Sequence, residues 1–188
     1  MRSHTARGIP ADHVVVIGYG TKGRSAVNTL RRQGQPLEKI LVIDAHASAV
    51  ADANFDGLAA FQGDATRREL LRRAEISKAK QVIISLDRDD TAILATLTVR
   101  QLNPTAGVVV AVREHENVPL VRQSGASSVV TSSETVGRLL GLSAIGPELG
   151  TIMQDMLTGA EALEMHHSLA AASDAGQPPS AVQGARAI

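Results

Sequence analysis

Short apolar runs alternate with amphipathic stretches from about residue 13 to residue 142. "HVVVI" (His13 to Ile17) is apolar almost throughout, as a strand buried on both faces must be. "KGRSAVNTLRRQG" follows with helical spacing, placing Ala26, Val27 and Leu30 inward and Gly34 at its end. "ILVID" (Ile40 to Asp44) predicts a second strand, residues 48–54 a short helix, and "LAAFQG" a weaker third strand. "TRRELLRRAEI" predicts the next helix, with Thr66 and Glu69 at capping-box spacing. "QVIIS" (Gln81 to Ser85) is the fourth strand, and "DDTAILATLTVRQLNP" a helix that acids open and Asn103-Pro104 closes. "VVVAV" (Val108 to Val112) and "SSVVT" complete the strands, each followed by a helix, "ENVPLVRQSGA" and "SSETVGRLLG".

Six strands alternating with helices predict an α/β fold, a Rossmann-like doubly wound six-stranded parallel sheet over residues 12–146. Beyond Gly146 the pattern changes. In "PELGTIMQDMLTGAEALEMH", Leu149, Ile152, Met153, Met156, Leu157 and Leu163 fall near one helical face, so residues 147–167 predict a single amphipathic helix. Residues 168–188 are small, polar and Pro/Gly-bearing and predict a disordered tail, while residues 1–11 read as a linker.

Composition narrows the function. Formal net charge is zero and aromatics are 2% of the 188 residues. Neither phosphate neutralisation nor base stacking is supplied, which argues against a nucleic-acid partner. The chain has no cysteine, hence no disulfide, thiolate metal site or cysteine nucleophile. No apolar stretch approaches the roughly 20 residues that span a bilayer, and the start lacks a signal-peptide core, so a cytoplasmic domain is expected.

"GYGTKG" carries the chemistry. Gly18, Gly20 and Gly23 match G-x-G-x-x-G directly behind a strand and at the head of a helix. Gly18 permits the turn, Gly20 admits a pyrophosphate to the backbone, and Gly23 lets helix and sheet approach. The helix N-terminus adds free N–H groups and positive potential. Lys22 and Arg24 in that first turn oppose the helix dipole, which an anion would relieve. Tyr19 and Thr21 belong to the same candidate loop.

Asp44, at the end of strand two, can accept hydrogen bonds from ribose hydroxyls and would repel a 2′-phosphate. NAD(H) or an adenine nucleotide (ATP, ADP or AMP) is therefore favoured over NADP. In "GDAT", Asp64 can face an adenine edge, with Ala65 beside it and Thr66 as the cap of the next helix. With strand order 3-2-1-4-5-6, the loop after strand four borders the crevice and brings Ser85, Leu86 and Asp87 to the ligand. Asp89 and Asp90 read as helix-start acids, and the histidines as solvated or packed; no metal site is expected.

Catalytic equipment is missing. The only tyrosine lies in the glycine loop and Gly23 stands four residues later, so no Tyr-x-x-x-Lys pair exists, and no G-x-S-x-G elbow occurs. What remains is a nucleotide pocket, and the expectation is a sensor rather than an enzyme. A small NAD-dependent oxidoreductase and a scaffold with a vestigial pocket are the alternatives from other classes.

Together, "HVVVIGYGTKGRSAVNTL", "ILVID", the stretch from "FQGDAT" through "SLDRDD" to "RQLNP", and "VVVAVREHENVPLVRQSGASSVVTSSETVGRLLG" resemble an RCK (regulator of potassium conductance) domain, also called TrkA N-terminal or KTN. The likeness covers about residues 13–142. It implies a cytoplasmic regulatory module at the inner face of the cell membrane that homodimerises, assembles into an octameric ring, and gates a potassium channel pore or transporter subunit. Nucleotide-binding positions carried by the resemblance are Gly18, Gly20, Lys22, Gly23, Asp44, Asp64 and Asp87. Residues 147–167 would be the crossing helix that docks subunits, and "RSHTARGIP" the connector to a pore helix outside this chain. A free-standing Trk-type uptake subunit is the alternative within the family.

Two departures qualify the likeness. Calcium-gated members carry carboxylates in and after strand five, where this chain has Ala111 and Arg113, with Glu114 and Glu116 nearby. Arg113 can instead reach a ligand phosphate or pair with an acid. The family's C-terminal subdomain, which often binds a separate effector, is not matched in the tail.

Overall fold

The structure, a computed structural model, describes residues 9–146 and 148–152. Strands are β1 (His13–Ile17), β2 (Ile40–Asp44), β3 (Ala59–Gln62), β4 (Ala79–Ile84), β5 (Gly107–Val112) and β6 (Ser128–Thr131). Helices are α1 (Thr21–Arg32), α2 (Ala47–Phe55), α3 (Arg68–Arg73), α4 (Asp89–Leu102), α5 (Val118–Gln123) and α6 (Ser132–Ile145). All strands join one sheet in the order β3-β2-β1-β4-β5-β6, and every pairing is parallel. Val15 of β1 lies beside Leu41 of β2 on one side and Val82 of β4 on the other. The expected architecture and strand order are thus what the chain adopts.

The uninterrupted Val/Ile runs follow from this placement. Every residue of β1 and β2 is buried, because helices cover both faces of the sheet there. On one face Val14, Val16, Val42 and Ile40 pack with Val27 of α1 and Ala53 of α2. On the other, Val15, Ile17, Val82 and Val110 pack with Leu71 of α3, Ala95 and Val99 of α4 and Val121 of α5. His13 fits the packed alternative: it is 1% exposed, and its Nε2 lies 3.1 Å from the Ala74 carbonyl oxygen.

Cover thins toward β6. Val108, Val110 and Val112 are fully buried, but the alternating residues Val109 and Ala111 are only half-buried and Val130 is 48% exposed. α6 follows directly and buries no residue; Val136, Leu140 and Ile145 all face solvent.

At the end of the sheet away from the glycine loop, two side chains knot the chain reversals. Asn103 Nδ2 donates to the carbonyls of Ile76 and Ala79, while its Oδ1 accepts the Thr105 and Ala106 N–H groups. Arg100 donates to the carbonyls of Gly125 (2.6 Å), Pro104 and Ala106, and to Ser127 Oγ.

One local expectation is corrected. The capping box at Thr66 and Glu69 does not form: α3 begins at Arg68, its cap position is Arg67, and no side chain caps it. The Thr66 N–H and hydroxyl both donate to Asp64 Oδ1, at 2.9 and 2.7 Å. Asp64 competes successfully for these donors and closes a turn where a helix start was expected. Residues 148–152 are helical, and Leu149 and Ile152 are exposed; the remainder of the expected crossing helix and the tail lie outside the described residues.

Candidate nucleotide-binding site

The C-terminal ends of β1, β2 and β4 meet at the topological switch point, where sheet order reverses and crevices form in this architecture. The backbone there is held from three sides. Gly18 N–H donates to the Ile43 carbonyl at 2.8 Å, and Ser85 N–H to the Ile17 carbonyl at 2.8 Å. Ser85 Oγ reaches the Gly18 carbonyl, also at 2.8 Å. Ser85 is therefore a brace for the glycine loop from below.

Gly18 has φ +93°, a conformation side chains avoid. At Gly23 the constraint is space: a β-carbon would stand 1.9 Å from the Gly18 carbonyl oxygen. A β-carbon on Gly20 would meet nothing within 4 Å and the residue is exposed, so its outer side is open to an incoming group. α1 starts there with no side-chain cap and no acid in its first turn. Its leading N–H groups, Thr21 among them, present positive potential to the crevice.

Asp44 is fixed beside this opening. Its Oδ2 accepts the Tyr19 N–H at 2.7 Å, and its Oδ1 accepts the His46 N–H at 2.8 Å, with His46 Nδ1 at 3.1 Å. Burial alone would raise its pKa; the Tyr19 and His46 N–H groups outweigh that and hold the carboxyl below its usual range. Asp44 is a fixed anion with lone pairs left for hydroxyl donors. Its carbonyl also accepts the Gly63 N–H at 2.9 Å, which ties the loop after β3 to this corner. Asp64, in that loop, is half-exposed, 3.6 Å from Arg67 Nε, and held below its usual pKa by the Thr66 hydroxyl and N–H.

Lys22 crosses the crevice. Its Nζ donates to the Leu86 carbonyl at 2.9 Å and lies 3.7 Å from Asp87 Oδ1. Asp87 itself is 97% exposed at the rim. The Leu86 side chain packs on the larger core, so this residue meets the crevice through its carbonyl. Gly18, Gly20, Lys22, Gly23, Asp44, Ser85 and Leu86 are thus gathered around one opening.

Four candidates sit differently. The Tyr19 side chain turns away into the smaller core, 2% exposed, where its hydroxyl donates to Asp56 at 2.8 Å. Burial, reinforced by that acceptor, pushes its pKa up to about 12. Arg24 stacks over the Tyr19 ring, 5.2 Å from its centre, and pairs with Asp52 of α2, so it braces α1 against α2. Ala65 is 6% exposed with its methyl in the larger core. Arg113 is exposed in the loop after β5, and its N–H donates to Asp89 Oδ1 at 2.8 Å.

Asp89 does more than open a helix. It also accepts from the Glu114 N–H (3.1 Å) and Asn117 Nδ2 (2.7 Å), bolting the start of α4 to the loop after β5. Burial would raise its pKa, but those donors hold it low. Nothing local in the sequence marks this role, since the partners lie 24 to 28 positions away.

The fold has counterparts among known proteins. Residues 14–132 match the TrkA-N domain. The chain belongs to the TrkA-N (RCK) domain family. A probable potassium channel protein 2 of Methanocaldococcus jannaschii is 29% identical over 120 residues, 64% of this chain and 35% of the relative. The chain spans less than half the length of the first curated relatives it matches, from 19% to 46%. In fold it resembles the GsuK channel bound to NAD (TM-score 0.64, 22% identity, 71% of this chain and 24% of that one). GsuK bound to ADP is similar too (0.65, 19%, 89% and 50%). So is the Shewanella denitrificans Kef CTD in its AMP-bound form (0.63, 20%, 79% and 92%). Among the described residues no helix is long and apolar enough to cross a membrane.

Proposed function

We propose that this chain is a nucleotide-sensing regulatory domain of a potassium channel or potassium transporter. It would bind NAD(H) or an adenine nucleotide at the glycine loop and would not consume it. The observation that carries the reading is the uncapped start of α1 facing open space at Gly20, with the Asp44 carboxylate beside it. Phosphate oxygens would take the leading N–H groups of α1, and ribose hydroxyls would donate to Asp44. The relatives named as potassium channels, and fold neighbours described with NAD, ADP or AMP, support both halves of the reading.

Occupancy is transmitted by population shift: only a difference in ligand affinity between two subunit arrangements can bias a gate. A second copy of this chain is the partner the surface fits. α6 buries nothing, and beside it the sheet leaves Val109, Ala111 and Val130 incompletely covered. An α6 from a second copy would cover that apolar strip, and several such contacts would build a ring.

Calorimetric titration of the purified chain with AMP, ADP, ATP, NAD+ and NADH tests the binding. Saturable uptake of at least one, with no hydride transfer when NAD(H) is offered small carbonyl and alcohol substrates, is expected. Uptake of none, or turnover, refutes the reading. In the complete channel or transporter, an ion flux that ignores the bound nucleotide would refute the gating role.

A further inference from the structure

The two sides of the glycine loop are lined differently. Above β1, β2 and β3 lie the open backbone at Gly20 and the Asp44 carboxylate. Above β4 and β5 two ties cross the path. Lys22 Nζ is bound to the Leu86 carbonyl, joining the glycine loop to the loop after β4. Asp89 holds the Arg113 and Glu114 N–H groups, joining that region to the loop after β5.

A ligand confined to an adenosine and one or two phosphates uses only the side above β1 and β2. A dinucleotide has no more phosphates than ADP, but it must carry its second ribose and base past the switch point toward β4, where a doubly wound sheet receives them. To pass, they must displace Lys22 from the Leu86 carbonyl.

We propose that Lys22 is a specificity-determining bolt that makes this site prefer adenosine mono- and diphosphates over dinucleotides. The inference rests on the nucleotide-sensing reading above. Lys22 stays within reach of a phosphate on α1, so its charge helps ligands of equal charge alike; its bond to Leu86 opposes only the longer one. A partly buried hydrogen bond from a charged donor carries about a tenfold bias when it must be given up.

The test is calorimetric titration of the purified chain with AMP and with NADH, which carry equal net charge at mildly alkaline pH, at one salt concentration, for wild type, Lys22→Ala and Lys22→Met. The methionine variant keeps the aliphatic stem, and thermal melts establish that each variant is folded. Wild type should bind AMP about tenfold or more tightly than NADH. Both variants should lose affinity for each ligand yet bring the AMP to NADH ratio close to one; with ligands of equal charge the ratio cancels the lost phosphate attraction. NADH binding as tightly as AMP in wild type, or a ratio unmoved by both substitutions, overturns the bolt while leaving nucleotide sensing intact. Uptake of neither nucleotide by wild type overturns the nucleotide reading and the bolt with it.

Discussion

A β-carbon placed on Gly23 would stand 1.9 Å from the carbonyl oxygen of Gly18. The obstructing atom is backbone, and Ser85 Oγ fixes it from beneath at 2.8 Å, so it cannot step aside. Gly23→Ala should cost about 3 kcal/mol, the upper range for forced overpacking. Thermal unfolding of the variant would then fall by roughly 6–12 °C, and a melt unchanged within error would contradict the packing described. Gly20→Ala meets nothing within 4 Å, so its melt should stay near wild type while nucleotide uptake weakens.

Asp44 should matter for ligand more than for fold. Its carboxylate takes two main-chain N–H groups, which Asn can satisfy only in part. Asp44→Asn is expected to lower nucleotide affinity about tenfold or more and stability by about 1 kcal/mol. Titration calorimetry beside a melt separates the two effects.

The single tyrosine gives a pH readout. Burial and Asp56 disfavour tyrosinate in the folded chain and push the pKa up to about 12. A folded pKa above the unfolded value of about 10 means stability that is intact below 10 and lost as pH rises through the window up to about 12. Near-ultraviolet titration of the native chain should show tyrosinate appearing only toward the top of that window, and the urea-unfolded chain should titrate near 10. Tyr19→Phe should shrink the alkaline loss of stability. Coincident native and unfolded titration curves would place Tyr19 in solvent.

Asp89 acts at the other end of the scale. Its pKa is held below the ordinary aspartate range by the Arg113, Asn117 and Glu114 donors. A lowered folded pKa contributes stability that is complete above the unfolded value near 3.9 and is lost as pH falls through the folded one. Asp89→Asn should destabilise by about 1 kcal/mol at neutral pH, and the gap to wild type should close in acid. Urea melts at neutral and acid pH measure this.

Replacing Leu140 of α6, which is 67% exposed, by Asp should raise solubility yet shift the chain from dimer to monomer. Sedimentation velocity reads the change. A wild type that sediments as a monomer at all concentrations would remove the second copy from the α6 surface.

Much of the fold was legible because its signals are local. Parallel strands covered on both faces read as unbroken Val and Ile runs, so β1 and β2 were visible in "HVVVI" and "ILVID"; "VVVAV" marked β5 as well, although one of its faces is only half-covered. Gly18, Gly20, Gly23 and Asp44 were singled out as candidates from spacing alone, because backbone turns and strand ends fix that spacing. What stayed hidden depends on distant partners. Tyr19 lies in the glycine loop, yet its ring direction is set by Asp56, 37 positions on. Ser85 reads as a ligand-side loop residue and Asp89 as a helix-start acid; that they tie down the glycine loop and the loop after β5 shows only once those loops arrive beside them. Thr66 misled because a capping pattern and an Asp-centred turn draw on the same residue types, and Asp64 decides between them.

The knot at the far end of the sheet has a consequence for sequence drift. Arg100 reads almost wholly carbonyl oxygens, at Pro104, Ala106 and Gly125, and carbonyls are common to every amino acid. Loops there can exchange most side chains while one arginine keeps their paths. The exception is Gly125, where an added methyl would strike Arg100 Cγ at 2.5 Å. In a library of random variants, residues 100 and 125, together with the buried Asn103, should therefore emerge as intolerant amid permissive neighbours.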